Sequence, residues 1–216
     1  SIVDVEGGAQ PIVFEQGDTT YSITFNGQIY NHADLRRELE GKGHQFNTRS
    51  DTEVLLKSYV EWGKNCLNRL NGSFAFAIYD SKDNKVFLAR DRLGIRPLYY
   101  AQTDRSFLFS SEPKGILARP EVERAPDYET IANYFVAMMT LVNCGAPVER
   151  SFYKGISALA PGTYAFVDER GLQIPQRYWQ LPFPQEIPDP RNGRSLHGSD
   201  HAPFETRYRK GCDCFT

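Results

Sequence analysis

Residues 74–79 read FAFAIY and are all apolar, which restricts the possible folds more than any other part of the chain. Successive side chains of a strand point to opposite faces of its sheet. A strand that is apolar on both faces must be covered on both, so the segment predicts a sheet held between two other layers. Residues 81–84 then read as a turn, and residues 85–90, KVFLAR, as the next antiparallel strand.

The remainder of the first 180 residues predicts a mixture of helices and strands. Asn31 and Ser50 are residue types that cap helix N-termini, and Asp34 and Glu53 each follow three positions later, as in a capping box. We therefore expect helices over residues 32–40 and from residue 51 to Gly63. Further strands are predicted over residues 21–25, 97–101, 106–110, 162–167 and 176–179, and a helix over residues 128–138.

Composition excludes several classes of protein. The 216 residues carry a net charge of −2, so no nucleic-acid partner is expected, because such a partner requires a basic face. We find no apolar run long enough to cross a bilayer and expect no membrane partner. Cysteines at positions 66, 144, 212 and 214 form no disulfide pattern, which is typical of a cytoplasmic protein. The spacing of His197, His201, Cys212 and Cys214 matches a zinc site poorly, so no metal is predicted.

The sequence changes character near residue 181. Five prolines then interrupt a stretch of Arg, Gly, Ser, Asp and His that has neither helical nor strand periodicity. We interpret residues 1–180 as one domain and residues 181–216 as a linker or disordered tail. The chain starts with Ser1 instead of methionine, which indicates a processed, trimmed or partial product.

Asn26 and Gly27 form the pair most suggestive of chemistry. They lie after the strand predicted at residues 21–25 and before the helix predicted at residue 32. From there the side-chain amide of Asn26 and the main-chain N–H of Gly27 can donate to one developing negative oxygen, which is an oxyanion hole. The same dipeptide is also a frequent turn signal, so taken alone it leaves both interpretations open.

An ordered set of motifs extends this local pattern. FNGQIYNH, SDTEV, GSFAFAIYD, LARDRLGIRPLYY, SSEPKGIL and PGTY follow one another along the chain. In this order they resemble the class II glutamine amidotransferase domain, above all that of the glutamine-hydrolysing asparagine synthetases. The resemblance covers residues 1–180 and implies an α+β fold of the N-terminal nucleophile type. That fold is a four-layer αββα sandwich of two stacked antiparallel sheets with flanking helices, here expected without its N-terminal strand or strands.

The resemblance also implies a reaction and a set of roles. In such enzymes an N-terminal cysteine attacks the side-chain amide of glutamine, ammonia leaves, and water cleaves the thioester. Asn26 and Gly27 would hold the oxyanion, and Asp51 would accept the α-ammonium group of glutamine. The main chain of Ser1, Ile2 and Val3 would line the glutamine pocket.

Two departures from the family pattern qualify these roles. The family usually has Glu where this chain has Gln28, which keeps an acceptor oxygen for glutamine but loses the charge. No cysteine precedes Cys66, so we expect the nucleophile to be absent and the chain alone to be inactive. A partial or misread sequence, short at both ends, would account for that absence.

Partners and cofactors follow from the same resemblance. The expected partners are glutamine and a C-terminal synthetase domain, and a homodimer is left open. ATP and Mg²⁺ would serve the full-length enzyme, which amidates aspartate, and this chain itself would bind no cofactor. Two alternatives remain: a non-catalytic glutamine-binding or assembly module, and an amidotransferase half that serves another acceptor.

Overall fold

A computed structural model describes residues 9–140 and 149–181, without the side chains of residues 138–140. Residues 1–180 form one compact unit. No helix among the described residues has the length and apolar character needed to cross a membrane. The predicted pocket residues Ser1, Ile2 and Val3, and most of the predicted tail at 181–216, lie outside the described residues.

Ten strands and four α-helices make up the described part of the chain. In chain order they are β1 (Ile12–Gln16), β2 (Thr19–Ile29), α1 (His32–Gly41), α2 (Asp51–Trp62), β3 (Gly72–Asp80), β4 (Lys85–Arg90), β5 (Tyr99–Gln102), β6 (Phe107–Ser110), α3 (Pro113–Leu117), α4 (Tyr128–Thr140), β7 (Ser157–Ala158), β8 (Thr163–Asp168), β9 (Gly171–Leu172) and β10 (Gln176–Arg177). A 3₁₀ helix, Gly63–Asn68, follows α2.

The strands form two antiparallel sheets. The first sheet has the order β1-β2-β3-β4-β8-β10, with β9 paired to β8, and the second has the order β6-β5-β7. Strand β3 lies inside the first sheet, with β2 and β4 as its neighbours. Its alternation is the one predicted from FAFAIY: Phe74, Phe76 and Ile78 pack with the helices, whereas Ala75 and Ala77 face the second sheet.

Three separate apolar clusters join the layers. The largest lies between the first sheet and helices α1 and α2, and it contains Leu39, Leu55 and Phe87. The second, with Leu88 and Leu98, lies between the two sheets, and a third joins the second sheet to α3. The alanines of β3 at the sheet–sheet contact let the two sheets approach closely, because their side chains are small. The α+β prediction of two stacked antiparallel sheets with helices outside is confirmed.

Strand β2 is longer than the sequence predicted. It continues to Ile29, so Asn26 and Gly27 lie inside the strand and not in a connection after it. The reason is pairing with β3, which supplies a partner for every residue of β2 from Tyr21 to Ile29. Strand β1, which pairs with the first half of β2, was not predicted at all.

The two predicted capping boxes do not form as expected. The Asn31 side chain makes no cap on α1; instead its Nδ2 donates to the Arg69 carbonyl and its Oδ1 accepts from the N–H of Asn71. Ser50 does cap α2, because its Oγ accepts from the N–H of Thr52 at 3.2 Å. Glu53 turns away from Ser50 and holds the preceding loop.

Replacing Ser50 by alanine is expected to lower the free energy of unfolding by about 1 kcal/mol, because the N–H of Thr52 loses its acceptor inside the protein. Glycine at the same position should cost only a few tenths of that, since glycine is itself tolerated at N-caps. Urea denaturation of the two variants measures the difference. A Ser50→Ala variant as stable as the unmutated chain would show that the Ser50 hydroxyl does not stabilise α2.

The side chains of Arg90 and Asp91 bond mainly to main-chain groups. The buried Asp91 carboxylate accepts from the main-chain N–H groups of Phe74, Leu93, Ile95 and Arg96. The Arg90 guanidinium donates to three carbonyl oxygens, those of Gly94, Arg96 and Leu159. Both charges therefore hold main-chain groups of residues 93–96, and Asp91 also ties this loop to β3 at Phe74.

Candidate functional site

The candidate site is built on one side of β2, which we call the open edge and define as the side of residues 24–29 that faces away from β3. In an antiparallel pair, alternate residues direct their N–H groups toward the partner strand. The N–H of Ser81 bonds to the Thr20 carbonyl and that of Tyr30 to the Asn71 carbonyl, so the even-numbered residues of β2 face β3. The odd-numbered residues therefore direct their N–H groups to the open edge.

Two hydrogen bonds confirm this direction. The N–H of Phe25 donates to Gln10 Oε1 at 2.6 Å, and the N–H of Ile29 donates to Asp51 Oδ2 at 3.0 Å. Strand β1 pairs with β2 only from Thr19 to Ile23, so it does not cover the open edge. Gly27 lies between these two points, and its N–H faces the same way. Each neighbouring odd residue is about 7 Å away along an extended strand.

Gly27 is required at this position by close packing of the main chain. Its φ is +150°, which L side chains rarely adopt. A Cβ atom on Gly27 would lie 2.8 Å from the Cα of Phe74 and closer still to the Ser73 carbonyl oxygen. The absence of a side chain lets the main chains of β2 and β3 approach closely here.

Asn26 directs its side chain toward the space between the sheets. Its Nδ2 donates to Ser111 Oγ at 3.0 Å, just after β6 of the second sheet. A cavity of about 270 Å³ opens beside it, lined among others by Thr24, Ala75 and Ala77 of the first sheet. The Asn26 amide is therefore one of the polar groups that line this cavity, together with apolar side chains such as Leu98 and Phe109.

Asp51 is held at the other end of the open edge. It is the first residue of α2 and is only 1 % exposed, and its carboxylate accepts from Ile29. A carboxylate in the first turn of a helix also interacts favourably with the helix dipole. The Asp51 side chain thus contacts β2 at Ile29, two residues along the strand from Gly27.

The loop before Asp51 is fixed by a buried ion pair. The Glu53 carboxylate accepts from the N–H groups of Asn47 and Thr48 and lies 3.2 Å from Lys57 Nζ. Burial by itself raises the pKa of the Glu53 carboxyl, but hydrogen bonds from Asn47 and Thr48 and the bond from Lys57 outweigh it and lower this pKa below its ordinary value. The residues that lead into α2 are therefore anchored, and with them the position of Asp51.

Asn26 and Gly27 lie on β2, and Asp51, at the start of α2, contacts the same strand at Ile29. Asn26 lines the cavity, whereas Asp51 lies outside its lining, on the side of α2. Gln28 is half-buried, and strand alternation puts its side chain on the same face as that of Asn26. The catalytic and substrate-binding roles of these residues stay predictions.

Two residues of the site were missed from the sequence. Gln10 accepts from the Phe25 N–H and donates from Nε2 to the Phe25 carbonyl, so it takes the place of a strand partner just before β1 begins at Ile12. Ser111 contacts Asn26 from the second sheet. The SSEPKGIL motif contains Ser111 and was part of the resemblance, but nothing in the sequence assigned it a contact 85 residues away.

Cys66 is not a suitable nucleophile. It is the only cysteine among the described residues, it is fully buried, and burial raises the pKa of its thiol to about 12. A reactive cysteine requires an accessible thiolate. The described residues also contain no group of three or more His, Cys, Asp or Glu side chains positioned to hold a metal ion.

Comparisons with known proteins give a consistent result. A family model described as "Glutamine amidotransferase domain" matches residues 1–179. Asparagine synthetase [glutamine-hydrolyzing] 3 of Bacillus subtilis is 43% identical over 185 residues, which is 84% of this chain. Asparagine synthetase B [glutamine-hydrolyzing] of Escherichia coli is 46% identical over 118 residues, which is 54% of this chain. The chain spans only 28% and 21% of the lengths of these two relatives.

The fold has solved counterparts. The glutamine phosphoribosylpyrophosphate amidotransferase from B. subtilis, complexed with ADP and GMP, aligns with a TM-score of 0.53 and 24% identity. The alignment covers 79% of this chain and 32% of that one. At this identity the likeness concerns the fold alone.

Proposed function

Starting from the fact that this chain belongs to the glutamine amidotransferase domain family, we propose that it is the glutaminase half of an asparagine synthetase. In that role the complete domain would bind glutamine and release ammonia from its side-chain amide, whereas this chain alone, with no cysteine before Cys66, is expected to bind glutamine without turnover. The ammonia would then serve an ATP-dependent amidation of aspartate by a separate synthetase domain. The relatives are long enough to contain such a domain. ATP and Mg²⁺ would belong to that domain.

One observation carries the proposal, namely the arrangement along the open edge of β2. The N–H of Gly27 faces this edge between a carboxylate, Asp51, and the amide-bearing residue Asn26. The α-ammonium group and the side-chain amide of glutamine lie at opposite ends of one extended carbon chain. Placing the ammonium at Asp51 brings the amide toward Asn26 and Gly27.

The chemistry then follows from charge. When a thiolate attacks the amide carbon, the carbonyl oxygen becomes negative, and the Asn26 amide and the Gly27 N–H would donate to it. The C–N bond breaks, ammonia leaves, and water releases glutamate from the thioester. Cys66 does not supply the sulfur, because it is buried and its pKa is raised. Action in the cytoplasm and assembly as a homodimer stay predictions.

Calorimetric titration of the chain with L-glutamine tests the proposal without requiring turnover. Saturable binding is expected, and L-asparagine should bind roughly 10- to 200-fold more weakly, because its amide would fall one methylene short of Asn26 and Gly27. Ammonia release, measured in the same samples, should stay at background, because no cysteine precedes Cys66. A chain that binds glutamine no better than asparagine would contradict the proposal.

A further inference from the structure

We propose that Ser111 is a positioning residue that fixes the orientation of the Asn26 amide for its work in the oxyanion hole. This inference rests on the proposed function, because it concerns the residue that holds the Asn26 amide at the same site. Ser111 would not touch the substrate itself. It acts through Asn26, from the second sheet.

The contact spans the gap between the two sheets. Asn26 lies in β2 of the first sheet, and Ser111 follows directly after β6 of the second. Their side chains meet at 3.0 Å, partly buried, beside the cavity between the sheets. A partly buried hydrogen bond between sheets restrains an amide more than an exposed one, because less water competes for its partners.

An asparagine amide can point two ways, and the two orientations differ chemically. Its nitrogen carries two donor hydrogens, whereas its oxygen only accepts. When Nδ2 donates one hydrogen to Ser111, the second hydrogen remains for another acceptor. The flipped amide would present its oxygen to the developing negative charge and would repel it. In the structure Ser111 accepts from Nδ2, so the amide is held in the orientation that can stabilise an oxyanion.

The main chain of the site is held independently of Ser111. Gln10 fixes both main-chain groups of Phe25, and Asp51 fixes the N–H of Ile29. Gly27 is fixed by its close approach to β3. Loss of the Ser111 hydroxyl should therefore disturb the Asn26 side chain and leave the Gly27 N–H and the Asp51 carboxylate in place.

The orientation can be measured directly on the ¹⁵N-labelled chain. NMR resonances of the Asn26 side-chain amide are assigned by their disappearance in Asn26→Asp. In Ser111→Ala the downfield hydrogen should move upfield and exchange faster with water, whereas Ser111→Thr should preserve it. Ser110→Ala removes a neighbouring hydroxyl and is the matched control. Asn26 amide resonances that are unchanged in Ser111→Ala would overturn the inference.

The functional consequence is tested by binding. The γ-sulfonamide analogue of glutamine has a tetrahedral centre with partially negative oxygens, like the intermediate. In Ser111→Ala its affinity should fall roughly threefold to tenfold, the effect of one neutral hydrogen bond. Affinity for glutamine, measured in parallel, should fall less than twofold, and threonine should restore the difference.

The outcomes separate this inference from the proposed function. Equal effects on both ligands, or no effect on either, would overturn the positioning role. If the unmutated chain binds neither ligand, the proposed function fails, and the amide resonances alone decide whether Ser111 orients Asn26.

Discussion

Replacing Gly27 by alanine is expected to lower the free energy of unfolding by at least about 3 kcal/mol, because two costs add. A methyl group at this position meets the main chain of Ser73 and Phe74, which cannot move without opening the β2–β3 ladder. Alanine also disfavours the φ of +150°. Urea denaturation followed by tryptophan fluorescence measures the loss.

Gly17→Ala is the matched control for this prediction. Gly17 lies in the β1–β2 turn with a φ of +60°, and nothing is within 4 Å of where its Cβ would be. It should therefore show only the conformational cost, about 1–2 kcal/mol. If Gly27→Ala costs no more than Gly17→Ala, the close approach of β2 and β3 is not what requires glycine at position 27.

Replacing Asp51 by asparagine is expected to weaken glutamine binding roughly 10- to 150-fold, the value of a charge-assisted hydrogen bond of about 1.5–3 kcal/mol. Asparagine keeps an oxygen that can accept from the Ile29 N–H, so the contact between residue 51 and β2 should be preserved. It loses the negative charge that would neutralise the α-ammonium group of glutamine. Calorimetry at low and moderate salt measures the change.

Asp34→Asn controls for a general effect of charge. Asp34 also lies in the first turn of a helix, α1, but its side chain is 71% exposed and is paired with Arg37. Glutamine affinity should be unchanged in this variant. A loss in Asp51→Asn no larger than that in Asp34→Asn would remove Asp51 from the binding site.

Much of the fold was predictable because its signals are local. The doubly apolar run in β3 required cover on both faces, and two apolar clusters provide it. Helix α2 begins after Ser50 and ends at Gly63, because a hydroxyl caps one end and glycine at a positive φ ends the other. The apolar run of β3 and the two ends of α2 each depend on residues that are close to one another in the sequence.

The end of β2 and the partners of Asn31 were not predictable in the same way. A turn signal at residues 26–27 was overridden by the ladder to β3, whose residues lie 45 or more positions away. The Asn31 side chain bonds to the loop at residues 69–71 instead of capping its own helix. Side-chain amides bond to whatever the fold brings near, and their sequence neighbours do not reveal it.

The sequence by itself determined which residues are candidates for the chemistry, namely an amide at Asn26, a bare main-chain nitrogen at Gly27 and a carboxylate at Asp51. Residue type and motif order are sufficient for that. Only the tertiary structure decided how these groups are oriented. The direction of the Gly27 N–H follows from the pairing of β2 with β3, and the Asn26 amide is oriented by Ser111 from another sheet. Hydrogen bonds depend on distance and angle, which long-range packing sets and a linear order of residues does not contain.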